Sequence, residues 1–113
     1  AAIVAVHASA TTYAETDWRE IVALYDALYR LQPTPIVALN RALALAEVAG
    51  PAAALAAVEP LAERLDRYHL FHAARGDLLG RLGRAEDARA ANARALELTT
   101  NPAERRLLLE RMA

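Results

Sequence analysis

The 113-residue chain contains no cysteine and no lysine, and aromatic residues make up only 5% of it. The absence of cysteine excludes disulfides, thiol catalysis and cysteine-ligated zinc. No apolar run approaches the roughly 18 residues that a membrane-spanning helix needs, so we expect no membrane association. The N-terminus also lacks the pattern of a secretory signal, and a cytoplasmic location is therefore expected.

The residues that are abundant favour helices. Alanine occupies 29 positions and apolar residues make up 56% of the chain, and alanine has the highest helix propensity. The 13 basic residues nearly balance the 14 acidic ones, which argues against the concentrated basic face of a nucleic-acid-binding domain. At this length we expect one domain over residues 1–113. Because the chain starts at Ala1 inside a helical pattern, we interpret it as a piece of a longer protein.

Boundary signals predict an all-α fold, and no strand pattern competes with it. Helices begin where proline follows a cap such as Thr34 or Asn101, and Pro60 should kink or split the helix that contains it. Glu104 follows Asn101 at the spacing of a capping box. The predicted segments are a helix end over 1–10, a loop over 9–15, an N-cap at Thr16, and helices over 17–31, 35–48, 51–65, 67–82, 85–98 and from 102 onward.

One residue pattern recurs after 34 residues. The corresponding positions are Arg41 and Arg75, Ala42 and Gly76, and Ala54 and Ala88. A period of 34 is that of tetratricopeptide (TPR) helical hairpins, in which small residues allow close helix approach. We therefore predict antiparallel helical hairpins stacked as a short TPR-like solenoid with a C-terminal capping helix, a scaffold for holding another chain. Asn92 departs from the pattern, since a TPR usually has an aromatic residue there.

Arg41 and Arg75 occupy a position where the TPR consensus prefers leucine. An arginine directed into a helix interface needs an acidic partner, and the candidates are Asp26, Glu47 and Asp77. The alternative is that both arginines point into a groove and grip a carboxylate or phosphate. Together with neighbouring polar residues they form the predicted partner-binding set, which is Asn40, Arg41, His72, Arg75 and Asp77.

Other chemistry finds little support in the sequence. His69 and His72 are three residues apart with Asp77 nearby, so a metal pair is conceivable, but packing between helices explains these histidines better. The chain has no glycine-rich phosphate loop and no arrangement of catalytic serine, histidine and aspartate. We therefore expect a protein that is not an enzyme and that uses no metal or other cofactor.

Six short motifs of the chain together resemble one family. They are Thr16-Asp17-Trp18, Leu24-Tyr25-Asp26, the stretch from Pro35 to Ala42, Gly50-Pro51, Tyr68-His69-Leu70 and Leu82-Gly83-Arg84. These motifs resemble the C-terminal TPR-like region of extracytoplasmic-function (ECF) sigma factors, of the type common in actinobacteria.

The resemblance implies a regulatory module that contacts the sigma core domains or RNA polymerase and modulates transcription initiation. It also implies that DNA is bound only by two N-terminal domains, which are absent from this chain. Two alternatives stay open. One is a stand-alone TPR adaptor that binds a separate protein or peptide, because periodicity alone indicates only a protein-binding scaffold. The other is a small-molecule sensor, for which a cavity near Leu39, Leu43 and Ala73 would be the distinguishing observation.

Overall fold

The structure is a computed structural model that describes residues 17–113. This part of the chain holds six α-helices and no strand, which confirms the all-α prediction. The predicted helix end over 1–10, the loop over 9–15 and the cap at Thr16 lie outside the described residues. The helices are α1 (Trp18–Leu31), α2 (Pro35–Ala49), α3 (Pro51–Val58), α4 (His69–Arg81), α5 (Ala85–Leu98) and α6 (Pro102–Met112), and a 3-10 turn at Glu59–Leu61 follows α3.

Several boundaries lie where the local sequence chemistry places them. Thr34 Oγ1 accepts a hydrogen bond from Val37 N (3.2 Å) and so caps α2, whose first residue is a proline. Gly50, at φ 91°, separates α2 from the proline that opens α3. Gly83, at φ 76°, ends α4 in a Schellman motif, in which Arg84 N donates to Leu79 O (3.0 Å). These caps confirm the predicted starts of α2, α3 and α5.

Other boundaries differ from the prediction. Asp17 caps α1, since its Oδ1 accepts from Glu20 N at 3.2 Å, so the cap stands one residue after the predicted Thr16. The helix predicted to reach residue 65 ends at Val58, because Pro60 cannot donate to a carbonyl one turn earlier and the chain tightens into the 3-10 turn. Similarly, α4 begins at His69 and not at residue 67.

The predicted capping box at α6 is only half present. Asn101 Oδ1 accepts from the backbone N–H groups of Ala103 (2.9 Å) and Glu104 (3.1 Å). The carboxylate of Glu104 does not return to the backbone of Asn101. It accepts instead from Thr99 Oγ1 (3.0 Å) and lies 2.8 Å from His69 Nδ1. Glu104 therefore links α6 to the start of α4.

Each helix packs against the next along the chain, and the helices of corresponding hairpins start 34 residues apart. The helix α2 begins at residue 35 and α4 at residue 69, while α3 begins at 51 and α5 at 85. The small residues of the repeat are all buried, with Ala42 and Ala54 completely enclosed. The largest enclosed side chains are Phe71, Ile21, Leu39, Leu78, Leu79, Leu108 and Val58. None of the helices in residues 17–113 has the length and apolar character needed to cross a bilayer.

The outer face of α6 differs from the corresponding face of α4. In α4, Phe71, His72 and Gly76 are buried. Thirty-four residues later stand Arg105, Arg106 and Glu110, and all three are exposed. Of the three consecutive leucines of α6, only the middle one is buried. The apolar contact of α6 with the core is therefore narrow and centred on Leu108.

Candidate functional site

Arg41 and Arg75 both lie in ion pairs with the helix hairpin that precedes them. Arg41 Nε donates to Asp26 Oδ1 on α1, and Arg75 Nε donates to Glu59 Oε1 after α3 at 2.5 Å. The predicted pairing of Arg41 with Asp26 is thus present. The other two predicted partners, Glu47 and Asp77, pair with Arg81 and not with Arg75, and Glu59 was not among the predicted partners.

These two ion pairs lie at nearly the same positions of successive 34-residue repeats. Arg41 and Arg75 are 34 residues apart, and their acidic partners Asp26 and Glu59 are 33 apart. All four side chains keep between a quarter and a half of their surface exposed, so screening by water reduces what each pair contributes to stability. The arrangement holds successive hairpins together and leaves neither guanidinium directed into the groove described below.

His72 serves the packing of α4. Its ring is buried, Nε2 donates to the backbone carbonyl of Asp66 at 2.6 Å, and the ring meets Phe71 edge-on at 5.0 Å. His69 has a different partner, Glu104. Within residues 17–113 no group of three histidine or carboxylate side chains is close enough to hold a metal ion. With 11% of its side chain exposed, His72 offers little surface to a partner.

A groove of about 300 Å³ lies between α2, α4 and α6. Its apolar side chains are partly open to solvent, with Leu43 36%, Leu70 44% and Leu107 48% exposed. The sequence of α2 is apolar on nearly all sides and predicts a helix buried between its neighbours. That prediction is wrong, because Leu43 of α2 faces this groove and is 36% exposed. The lining residues are Leu39, Asn40, Leu43, Tyr68, Leu70, Ala73, Ala74, Asp77, Glu104, Leu107, Leu108 and Arg111.

The lining of the groove follows the 34-residue period. One residue from each of α2, α4 and α6 stands at the same position of the repeat. The three sets are Leu39, Ala73 and Leu107; Asn40, Ala74 and Leu108; and Leu43, Asp77 and Arg111. The groove is thus one strip of surface contributed by three corresponding helices, as in a scaffold that holds an elongated partner.

Polar groups sit among these apolar side chains. Asn40 is exposed, and its side chain makes no hydrogen bond to any residue in the described part of the chain. Asp77 accepts from Arg81 (3.0 Å), and Arg81 also lies 3.7 Å from Glu47 on α2. Arg111 Nη1 donates to the carbonyl of Ala73 (3.2 Å). Of the predicted partner-binding residues, the structure brings Asn40 and Asp77 together in the groove and places Arg41, His72 and Arg75 outside it.

A second cleft of about 560 Å³ lies beyond Asp77 and Arg111, between α4, α5 and the end of α6. At its wall Asn92 is 4% exposed, and its Oδ1 is buried without a hydrogen-bond partner. A Cβ built on Gly76 would lie only 2.2 Å from that oxygen. The absence of a side chain at Gly76 is therefore what makes room for the Asn92 amide. We call this cleft the Asn92 cleft.

Sequence reasoning missed three features of these surfaces. Leu70 and Leu107 carry much of the apolar lining of the groove. Projecting the repeat position of Leu39 onto α6 would have found Leu107, and projecting that of Ile36 onto α4 would have found Leu70. The pairing of Glu59 with Arg75 was not predicted, because it depends on the path of the chain after α3. The burial of Asn92 was indicated in the sequence, since this residue stands at a position where the TPR pattern has an aromatic residue.

The chain is related in sequence to a known bacterial protein. No protein family and no solved structure matches it significantly. It is similar to an uncharacterized protein of Rhizobium meliloti (strain 1021), with 57% identity over 104 residues, which is 92% of this chain. The matched region is 25% of that relative's length, so the chain spans about a quarter of the protein it matches.

Proposed function

We propose that the chain is a regulatory, protein-interaction module of an ECF sigma factor. In this proposal its groove between α2, α4 and α6 docks an apolar segment of the sigma core domains or of RNA polymerase, and docking modulates transcription initiation. DNA would be contacted only by the core domains, outside this chain. The family assignment rests on the resemblance of the sequence strings, and the docking site rests on the geometry of the groove.

The observation that carries the docking proposal is the exposure of aliphatic side chains around one groove. Leu43, Leu70 and Leu107 come from three different helices and each remains more than a third exposed. Contiguous exposed apolar surface rimmed by polar groups marks interaction sites, and an amphipathic partner helix inserts apolar side chains into such grooves. Burying these three side chains more completely would supply part of the binding energy.

The TPR-like architecture is part of the same proposal. Its support is the 34-residue spacing of helix starts, the buried small residues at the repeat positions and the repeated ion pairs. In such an array the corresponding helices α2, α4 and α6 line one side, and this is where the groove lies. A relative about four times longer than the matched region has room for further domains.

The test is transcription in vitro with RNA polymerase and the full-length protein, with and without residues 1–113. Point variants then locate the surface. We expect Leu107→Glu, in the groove, to change transcription as much as the deletion does, because a carboxylate would enter an apolar contact. Leu109→Glu is the matched control, since Leu109 is on the same helix, is 53% exposed and lies outside the groove.

The outcomes separate the proposal from its alternatives. Equal effects of Leu107→Glu and Leu109→Glu would remove the groove as the docking site. Unchanged transcription after deletion, with the truncated protein folded, would favour an adaptor that binds a separate protein. The small-molecule sensor has one specific observation in its favour, because Leu39, Leu43 and Ala73 do line a cleft of about 300 Å³, the lower end of ordinary ligand pockets.

A further inference from the structure

We propose that the Asn92 cleft is a binding site for a small molecule carrying a carboxylate or phosphate group. The site is separate from the docking groove, although Asp77 and Arg111 line both. The inference goes beyond the proposed function and does not depend on it, since Asn92 and Arg89 line the cleft and not the groove.

The first argument is the orientation of the Asn92 amide. Its Oδ1 is sealed against Gly76 and has no hydrogen-bond partner, while Nδ2 lies farther from α4, at 3.3 Å from a Cβ built on Gly76 compared with 2.2 Å for Oδ1. The amide nitrogen is thus the polar atom of Asn92 on the open side, and it carries two donor hydrogens. Nothing in the described part of the chain accepts from it. Nδ2 is not among the buried atoms without a partner, so its hydrogens are open to the cleft, where an oxyanion would accept from them.

The second argument is the charge around the cleft. Three arginines and one carboxylate line it, namely Arg81, Arg89, Arg111 and Asp77. Arg81 is already engaged by Asp77 and Glu47. Arg89 has no ion pair or side-chain hydrogen bond within residues 17–113. Arg111 uses only Nη1, toward the Ala73 carbonyl, and a guanidinium has five donor hydrogens.

The two arguments define the ligand chemistry. Asn92, Arg89 and Arg111 all line this cleft and carry hydrogen-bond donors, and the two arginines are cationic. Such charge-assisted donors bind carboxylate and phosphate oxygens. The volume of about 560 Å³ exceeds that of a single inorganic ion and fits an organic molecule that carries the anionic group.

The experiment is an NMR titration of the 113-residue chain at constant ionic strength, with inorganic phosphate in one arm and succinate in the other. We expect saturable shifts of the Asn92 side-chain amide resonances in at least one arm, and the arm that saturates identifies the anionic group. Arg89→Gln should weaken the apparent affinity about tenfold or more, as expected when one charge-assisted hydrogen bond is lost.

Arg106→Gln is the control for charge, because it removes the same charge from an exposed position outside the Asn92 cleft. It should leave the affinity within about twofold, since salt screens distant surface charges. Shifts that stay linear in both arms, or equal weakening by Arg89→Gln and Arg106→Gln, would overturn the proposal. Asn92→Ala gives an independent check, followed by the backbone amide resonances of Gly76 and Arg89 because the side-chain amide is then absent. Saturable shifts of these resonances should be lost while the rest of the spectrum stays dispersed, and unchanged saturation would overturn the role of Asn92.

Discussion

The close approach of α4 and α5 can be tested by substitution at the contact between Gly76 and Asn92. A methyl group at position 76 would meet Asn92 Oδ1 at 2.2 Å and Cγ at 2.8 Å, whereas ordinary contacts begin at 3.4 Å. The amide would have to move by about 1.2 Å, the difference between 3.4 and 2.2 Å. Overpacking of this kind costs ~1–3 kcal/mol, and the better helix propensity of alanine returns at most ~1 kcal/mol. We therefore expect Gly76→Ala to lower the free energy of unfolding by ~1–2 kcal/mol.

Asn92→Ala changes that outcome because it removes Oδ1, Cγ and Nδ2, which are the atoms that the new methyl group would meet. On its own the change also eliminates a buried acceptor without a partner, a relief of ~1–3 kcal/mol that offsets the packing lost with the side chain. In the Asn92→Ala background, Gly76→Ala should be neutral or stabilising by up to ~1 kcal/mol. The corresponding pair of the first hairpin, Ala42 and Val58, is apolar and completely buried.

The assay is urea denaturation of the wild type, both single variants and the double variant, followed by circular dichroism. The coupling free energy should be ~1–3 kcal/mol, above the ~0.5 kcal/mol within which independent sites add. All four proteins should share one m-value, since the surface exposed on unfolding is almost unchanged. A coupling free energy below ~0.5 kcal/mol would refute the close approach of the two helices and the register that produces it.

Three further predictions concern the fold. Arg75→Gln should lower the free energy of unfolding by no more than ~1 kcal/mol, because the ion pair with Glu59 is partly exposed. The effect of this substitution should largely disappear in a Glu59→Gln background, and equal losses in both backgrounds would contradict the pairing. Ala42→Leu should lower the free energy of unfolding by ~1–3 kcal/mol, since Ala42 is fully enclosed, and an unchanged melting temperature would exclude the proposed helix contact. Asn101→Ala should lower the free energy of unfolding by ~1 kcal/mol, because it removes the N-cap of α6. Amide hydrogen exchange should become faster only at the start of α6, and faster exchange throughout the protein would contradict a local role of the cap.

Local sequence chemistry predicted most of the fold. Thr34, Gly50 and Asn101 are followed directly by proline, and each marks a helix start to the residue, because caps and proline act through their immediate neighbours. The start of α4 was placed two residues early, since Tyr68 provides no side-chain cap. Pro60 was recognised as a break, but the length of helix lost after it depends on tertiary packing.

The candidate sites were less predictable because they depend on which helix faces which. Asn40 and Asp77 both line the groove, but their role in binding a partner stays a prediction. Arg75 could not be matched with Glu59 without the path of the chain after α3. The apolar character of α2 predicted burial, but Leu43 is 36% exposed. A sequence does not distinguish an apolar core contact from an apolar docking surface.

The charged outer face of α6 has a consequence for self-association. A stack built from one repeating unit is in principle open-ended, since any end that resembles its interior can accept the beginning of another molecule and propagate into a filament. The two arginines and the glutamate of α6 stand where α4 presents its buried face, so a further copy would have to strip water from three charges to add there. Replacing Arg105, Arg106 and Glu110 by their counterparts Phe, His and Gly would reopen that end to polymerisation.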